Sequence, residues 1–185
     1  MPTLNQDLEF YKAGVGGMEA YLLSNELYWP LSGGHNQPRL TVGSLLLANR
    51  RLGARTTTPA DREEMNSLEA QLADIRSRWR AAWERKAGRE VHSRFGLWQA
   101  YLDEYQRSPD LHADEYSHKV QERAVLHLLG NELRSLPDEY VALRDLDKFL
   151  RNHLRPGGFI WEADLTASFP AGEYWFLYGK IQSTA

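Results

Sequence analysis

Four side chains in the sequence could carry acid–base chemistry inside a helical protein. Glu19 and Glu26 are seven residues apart, which would place both carboxylates on one face of a continuous helix. His35 lies in a loop rich in glycine and asparagine, and His127 lies beside the apolar face of a later helix. Carboxylates and imidazoles are common general acids and bases in enzymes. We therefore expect these four residues to bind the ligand if the protein has a polar pocket, whereas no catalytic residue can be named.

A segment rich in arginine could bind the phosphates of nucleic acid. Residues 76–94 contain six arginines and one lysine against two glutamates, whereas residues 61–74 contain five acids and one arginine. Arginines would contact phosphates, and an aromatic ring such as Trp79 would stack on a base. The same order of charges also stabilises one long helix, since acids favour its start, bases favour its end, and Arg80 and Glu84 are spaced for an ion pair. We favour this structural interpretation and keep nucleic-acid binding as the weaker alternative.

One short pattern resembles half of a metal site. Glu115 and His118 have the Glu-x-x-His spacing of ferritin-like di-iron proteins. Such a site needs this pattern twice, and the sequence contains it once. Helical geometry also directs both side chains away from the apolar face that Tyr116 and Val120 define. The chain has no cysteine, so a thiolate metal site and a disulfide frame are excluded. We therefore expect no metal ion and no cofactor.

The composition is that of an ordinary globular protein. The chain has 185 residues, of which 42% are hydrophobic and 25% charged, and a net charge of −3 gives no global attraction to anions. This length suits one domain with its own core. Polar residues interrupt every early apolar run, as they would not in a signal peptide. We expect a soluble, cytoplasmic protein without a membrane partner.

The elements that must position these groups are helices, and the longest is a central unit from residue 58 to residue 107. Its apolar residues recur at steps of three and four, as in an amphipathic helix. Thr58 and Pro59 mark its start as N-cap and first helical residue. Unbroken, it would extend about 70 Å. We expect a kink or a helical hairpin at residues 86–89, Lys-Ala-Gly-Arg, because Gly88 is a strong helix breaker.

Shorter helices are predicted on both sides of the central unit. The N-terminal part, residues 1–56, predicts a first helix and then a second helix from about residue 39 to residue 52. Three glycines within residues 14–17 either let a neighbouring helix approach closely or divide the first helix in two. After the central unit, residues 109–154 predict a pair of helices, the first ending near Ser135.

The C-terminal tail, residues 156–185, is dense in aromatic residues and lacks helical periodicity. Residues 155–158, Arg-Pro-Gly-Gly, are a signal that ends the preceding helix. Aromatic runs at 159–161 and 174–178 are consistent with a β-hairpin, although Pro170 could equally start a short final helix. We expect the tail to pack against the helices in either case. The sequence therefore predicts a single all-α domain, a bundle of about five or six helices with a long central helix or helical hairpin and a short aromatic tail.

The apolar stripe of the central unit suggests the function that we favour. It is longer than one partner helix would cover, so a second copy or another protein is expected to complete it. Trp79 and Trp98 are the expected interface anchors, because tryptophan dominates the energetics of many interfaces. The first hypothesis is therefore a non-enzymatic protein-interaction or oligomerising module. A small-ligand protein or enzyme that uses the four acid–base residues is the alternative, and nucleic-acid binding is a further one.

Overall fold

The computed structural model describes residues 2–31, 38–55 and 58–183. These residues are mostly α-helical and include one two-stranded antiparallel sheet near the C-terminus, so the predicted all-α class is confirmed. They fall into two compact units, Met1–Glu90 and Val91–Ala185, and the longest helix belongs to both. The helices are α1 (Leu4–Leu23), α2 (Val42–Arg55), α3 (Pro59–Arg78), α4 (Arg80–Arg107), α5 (Pro109–His112), α6 (Tyr116–Gly130) and α7 (Glu139–His153), and the strands are β1 (Leu154–Phe159) and β2 (Tyr178–Ile181).

Helix α1 begins with a capping box and continues through its glycines without a break. The Thr3 hydroxyl accepts from the backbone N–H of Gln6 at 3.3 Å, while the Gln6 side chain accepts from the Thr3 N–H at 2.9 Å. A Cβ added to Gly14 would lie 2.6 Å from Cδ1 of Leu45 in α2, whereas one added to Gly16 would meet nothing within 4 Å. Close approach of a neighbouring helix is therefore the correct interpretation at Gly14, and division of the helix is wrong.

Helix α2 begins at Val42, three residues later than predicted. Leu40 forms an antiparallel bridge with Trp29 instead, with N–O distances of 2.8 and 3.0 Å. Thr41 then starts the helix, because its N–H donates to Ser44 Oγ at 2.8 Å and its hydroxyl accepts from the Ser44 N–H at 2.9 Å.

The predicted break of the central unit at Gly88 is wrong. Gly88 lies inside α4, and the break is the single residue Trp79 (φ −111°, ψ 32°) between α3 and α4. The ring N–H of Trp79 donates to Glu19 of α1 at 3.0 Å, which fixes the indole at the break. Helix propensity is a weak prior that such tertiary contacts override, and one glycine within a helix costs only about 1 kcal/mol.

The predicted helix from Pro109 to about Ser135 is shorter and is divided in two. A 3₁₀ turn, Ala113–Glu115, separates the four-residue α5 from α6, so the described residues contain seven α-helices rather than five or six. Helix α6 ends at Gly130, where a Cβ would lie 3.1 Å from the Tyr140 ring. The Tyr140 hydroxyl donates to the Leu126 carbonyl at 2.6 Å, which holds that ring against the end of α6.

The predicted hairpin exists, but its strands lie elsewhere in the sequence. Residues 155–158 belong to β1, and β2 begins at Tyr178. The segment between the strands contains two 3₁₀ helices, Ala163–Ser168 and Trp175–Leu177. Its aromatic side chains are packed into the C-terminal unit, as predicted, and the buried ones are Trp161, Phe169, Tyr174 and Phe176.

Each unit has its own aromatic core. In the N-terminal unit, Tyr11, Tyr21 and Trp83 are fully buried. In the C-terminal unit, Trp98 and Tyr116 are buried with their ring centroids 6.5 Å apart. Within the described ranges, no helix combines the length and the apolar character needed to cross a membrane.

Candidate functional site

The predicted carboxylate pair does not share a helix face. Helix α1 ends at Leu23, so Glu26 lies outside the helix and the seven-residue spacing does not apply. Glu19 accepts from the Trp79 indole and lies 3.9 Å from the guanidinium of Arg78. Glu26 contributes its backbone carbonyl, which accepts from the ammonium of Lys86. The Glu19 side chain and the Glu26 backbone carbonyl therefore both have structural roles.

The two predicted histidines have different outcomes. His35 lies outside the described residues. His127 is partly exposed, with Nε2 3.8 Å from a Glu173 carboxylate oxygen and its ring 4.7 Å from the Tyr174 ring. Ligand binding by Glu19, Glu26, His35 and His127 stays a prediction.

The structure gives no support for metal binding at the Glu-x-x-His pattern. The Glu115 carboxylate lies 3.8 Å from His112 and 3.7 Å from Lys119, and His118 is exposed. In the part of the chain that the structure describes, no three His, Asp or Glu side chains are grouped so that they could hold a metal ion.

The predicted interface tryptophans differ in accessibility. Trp79 is half-buried and keeps part of its ring surface. Trp98 is 0% exposed and lies 5.6 Å from the Tyr101 ring, so a partner cannot reach it in this conformation. An interface role for Trp79 and Trp98 stays a prediction.

Several bases of the arginine-rich segment have structural partners. Arg80 pairs with Glu84 at 2.6 Å, as its four-residue spacing predicts. Arg94 pairs with Glu122 at 2.8 Å. Lys86 is 1% exposed, its ammonium donates to Ser24 at 3.1 Å, and burial lowers its pKa. These contacts favour the structural interpretation of the segment.

The candidate site is a groove in the C-terminal unit that was not expected from the sequence, and we call it the hairpin groove. Its volume is about 960 Å³. Strands β1 and β2 form one wall, while α5, the 3₁₀ turn and the first turn of α6 form the other. The charged residues that line it are Asp110, Asp114, Arg155 and Lys180.

Glycines shape the hairpin wall of the groove. Gly179 has φ +149°, and a Cβ there would lie 2.3 Å from the Arg155 carbonyl oxygen, so only glycine fits between the strands. Pro156 pairs with Gly179 and Phe159 with Tyr178, which leaves two residues of β1 in a bulge. The bulge residues are Gly157 and Gly158; both are exposed, and neither has a side chain to block a ligand from the backbone.

Two like charges face each other across the hairpin. Arg155 and Lys180 are direct partners in the antiparallel register, so their side chains project from the same face of the sheet. Both are exposed and line the groove, and neither forms an ion pair with a carboxylate of the described residues. Like charges in directly opposite positions destabilise a hairpin. The groove therefore holds two bases that an anion would stabilise.

Hydrogen bonds fix the helical wall of the groove. Tyr116 is buried, and its hydroxyl donates to the Phe176 carbonyl at 2.5 Å. Burial raises the pKa of this phenol, so it stays protonated at neutral pH. The Trp161 indole donates to the Ser117 carbonyl at 2.9 Å. The groove therefore has a preformed wall, and a ligand need not order it.

The groove is lined by hydroxyls and carboxylates as well as by the two bases. Ser117 and Ser183 supply the hydroxyls, Asp110 and Asp114 supply the carboxylates, and among the described residues no histidine lines the groove. No protein-family model, curated protein or solved structure matches the chain.

Sequence reasoning missed the groove because Arg155 and Lys180 belong to different parts of the tail. Residues 155–158 have the composition of a helix stop, and only their pairing with β2 brings the two bases together. The one local signal was Gly179 next to Lys180, since glycine inside a strand often marks a bulge or a close backbone approach.

Proposed function

We propose that this protein is a non-enzymatic interaction module whose hairpin groove binds an acidic segment of a protein partner. The observation that carries the proposal is the pair of exposed bases, Arg155 and Lys180, in directly opposite positions without a described carboxylate partner. Such a pair costs stability in the free protein. A carboxylate placed between the two bases would remove the repulsion and gain charge-assisted hydrogen bonds.

The shape of the groove supports a peptide as the ligand. A volume of about 960 Å³ is at the upper end of the range for small-molecule pockets. The exposed bulge of Gly157 and Gly158 lets an extended chain reach the backbone of β1. Main-chain contacts at a strand together with side-chain pockets are a common mode of peptide recognition.

The opposite wall argues against a polyanion such as nucleic acid. Asp110 and Asp114 line the groove across from the two bases, and the chain as a whole has a net charge of −3. The two carboxylates and the negative net charge would repel a continuous row of phosphates. A peptide with a few acidic residues avoids these carboxylates more easily. A cytoplasmic location stays a prediction that cell fractionation would check.

The test is peptide binding measured by fluorescence anisotropy. The probe is a fluorescein-labelled peptide of glycine, serine and four glutamates, about 12 residues long so that it spans up to about 40 Å when extended. We expect binding that weakens between about 0.05 and 0.15 M salt, because exposed charges are screened. The same peptide with glutamine in place of glutamate should bind at least about tenfold more weakly.

The matched variants are Lys180→Glu and Arg85→Glu, which change the charge equally. Arg85 is an exposed base of the N-terminal unit and does not line the groove. We expect Lys180→Glu to weaken peptide binding at least about tenfold and Arg85→Glu to leave it nearly unchanged. Equal losses in both variants would mean that net charge alone attracts the peptide. That result, or no binding of the glutamate peptide, would refute the proposal.

A further inference from the structure

The exposed face of α7 carries a row of bases, which we call the α7 stripe. Its members are Arg144, Lys148 and Arg151, separated by four and three residues. This spacing places them on one face of the helix. All three are exposed, whereas the apolar residues Leu143 and Leu150 of the same helix are buried. The stripe is therefore the face of α7 directed away from the core.

Two of the three acids of α7 are held by residues outside that helix. Asp147 accepts two hydrogen bonds from Arg123 of α6, both at 2.8 Å. Glu139 lies 2.8 Å from Nδ1 of His92, a contact that lowers the pKa of this carboxyl. Asp145, which pairs with Lys148 at 2.8 Å, is the exposed acid that remains beside the stripe. Three bases against one acid leave the stripe positively charged.

Each end of the stripe also offers apolar surface. The guanidinium of Arg151 lies 3.7 Å from the centre of the half-exposed Trp175 ring, which orients it. Val141, one turn before Arg144, is 57% exposed. A partner that follows the stripe would therefore meet charge in the middle and apolar contacts at the ends.

The stripe is close to the hairpin groove along the chain. Helix α7 ends at His153 and β1 begins at the next residue, and Arg155 of β1 lines the groove. Arg155 follows Arg151 by four residues, so their Cα atoms are at most about 14 Å apart.

We propose that the acidic partner binds the α7 stripe as an α-helix, with glutamates or aspartates at three- and four-residue spacing, and that its adjoining extended segment occupies the groove. The inference rests on the proposed function of the groove. Val141 to Arg151 spans about 15 Å along the helix axis, or nearly three turns of a partner helix packed alongside. Acids on one face of that helix would meet the bases, as in paired helices with complementary charges. Asp145 beside the stripe and the acids of the groove make nucleic acid a poorer fit.

The test compares two helical peptides of identical composition with the short glutamate peptide described above. Each helical peptide has about 20 residues, because shorter isolated helices are marginal in water. One carries all its glutamates on one face, and the other distributes them around the helix. We expect the one-face peptide to bind at least about threefold more tightly, because several of its acids can contact the stripe at once.

The protein variants separate the stripe from the groove. We expect the double variant Arg144→Gln with Arg151→Gln to weaken binding of the one-face peptide about tenfold and to leave binding of the short peptide unchanged. The control, Arg85→Gln with Arg107→Gln, removes two exposed bases outside the stripe and should have little effect. Thermal unfolding measured by circular dichroism verifies that each variant is folded.

The possible failures are distinguishable. If Lys180→Glu weakens both peptides but the stripe variant weakens neither, the groove proposal stands and the helix inference is wrong. If neither Lys180→Glu nor the stripe variant weakens any peptide, the proposed function is wrong as well. Tighter binding of an oligouridylate than of the one-face peptide, lost in the stripe variant, would assign the stripe to nucleic acid and overturn the inference.

Discussion

Two charged clusters, one in each unit of this protein, use their charges in opposite ways. In the N-terminal unit, Asp7 is 1% exposed and accepts two hydrogen bonds from Nε of Arg51, at 2.9 and 3.1 Å, and one from Nη2. In the C-terminal unit, Arg155 and Lys180 are exposed beside each other, without a carboxylate partner among the described residues. Buried charges need partners within the fold because unpaired burial is costly. Exposed charges that repel each other are instead suited to a partner from outside.

Alkaline pH should have the largest effect on the stability of the protein, because it acts on buried tyrosines of both units. Burial raises the pKa of Tyr11 and Tyr21 in the N-terminal unit and of Tyr101, Tyr116 and Tyr140 in the C-terminal unit. These phenols keep their protons in the folded chain, whereas phenols of the unfolded chain ionise near pH 10. Stability should therefore be unaffected by these groups below about pH 10 and fall as the pH rises above it.

The measurement is urea unfolding from about pH 8 to pH 11, together with tyrosinate absorbance of the folded protein. The account predicts that the absorbance of these five phenols rises only with unfolding. Ionisation of all of them near pH 10 in a folded protein would contradict their burial.

The buried ion pair should give the next largest effect. Replacing Asp7 with Asn leaves Arg51 buried without a negative partner, which should lower the free energy of unfolding by about 3–5 kcal/mol. Asp74→Asn removes the same charge from an exposed position of the same unit, and its effect should stay within about 0.5 kcal/mol. Urea unfolding of the two variants checks the contrast. A loss below about 1 kcal/mol for Asp7→Asn would show that the pair is not a main support of the unit.

Alanine substitutions at two glycines of α1 should change the stability of the same unit by a smaller amount. Alanine at Gly14 would push Cδ1 atoms of Leu45 and Leu40, whereas alanine at Gly16 would meet open space. Both substitutions gain about 1 kcal/mol of helix propensity. Gly14→Ala should nevertheless be less stable than Gly16→Ala by about 1–3 kcal/mol, because the buried site becomes overpacked. Equal unfolding free energies for the two variants would contradict close packing of α1 on α2.

Local signals in the sequence predicted much of the fold. Thr58 and Pro59, which predicted the start of the central unit, are the N-cap and the first residue of α3 in the structure. The break in the central unit could not be found in this way. Trp79, the residue at the break, hydrogen-bonds to Glu19, 60 residues earlier, and α4 continues through Gly88, whose preference to interrupt a helix is weak.

The candidate site was hidden for the same physical reason. Arg155 and Lys180 become neighbours only through strand pairing, and the register depends on the bulge at Gly157 and Gly158. A sequence read by local composition takes residues 155–158 as the end of a helix. The residues chosen for their chemistry, such as Glu19, are ones whose contacts in the structure support the fold.

Substitution of Lys180 should have the smallest effect on stability, although it should have the largest effect on peptide binding. Lys180→Glu places a carboxylate directly opposite Arg155, which should raise the free energy of unfolding by about 0.2–1 kcal/mol. Lys180→Gln removes the repulsion without adding an attraction, so its gain should be smaller.

Measuring stability and peptide affinity on the same Lys180→Glu sample tests the central claim most directly. The account predicts that urea unfolding shifts to higher concentration while the affinity for the acidic peptide falls at least about tenfold. That combination would mean that the two bases are kept for binding at the expense of stability. A variant that is destabilised, or that binds the peptide as the unmodified protein does, would contradict this account of the hairpin groove.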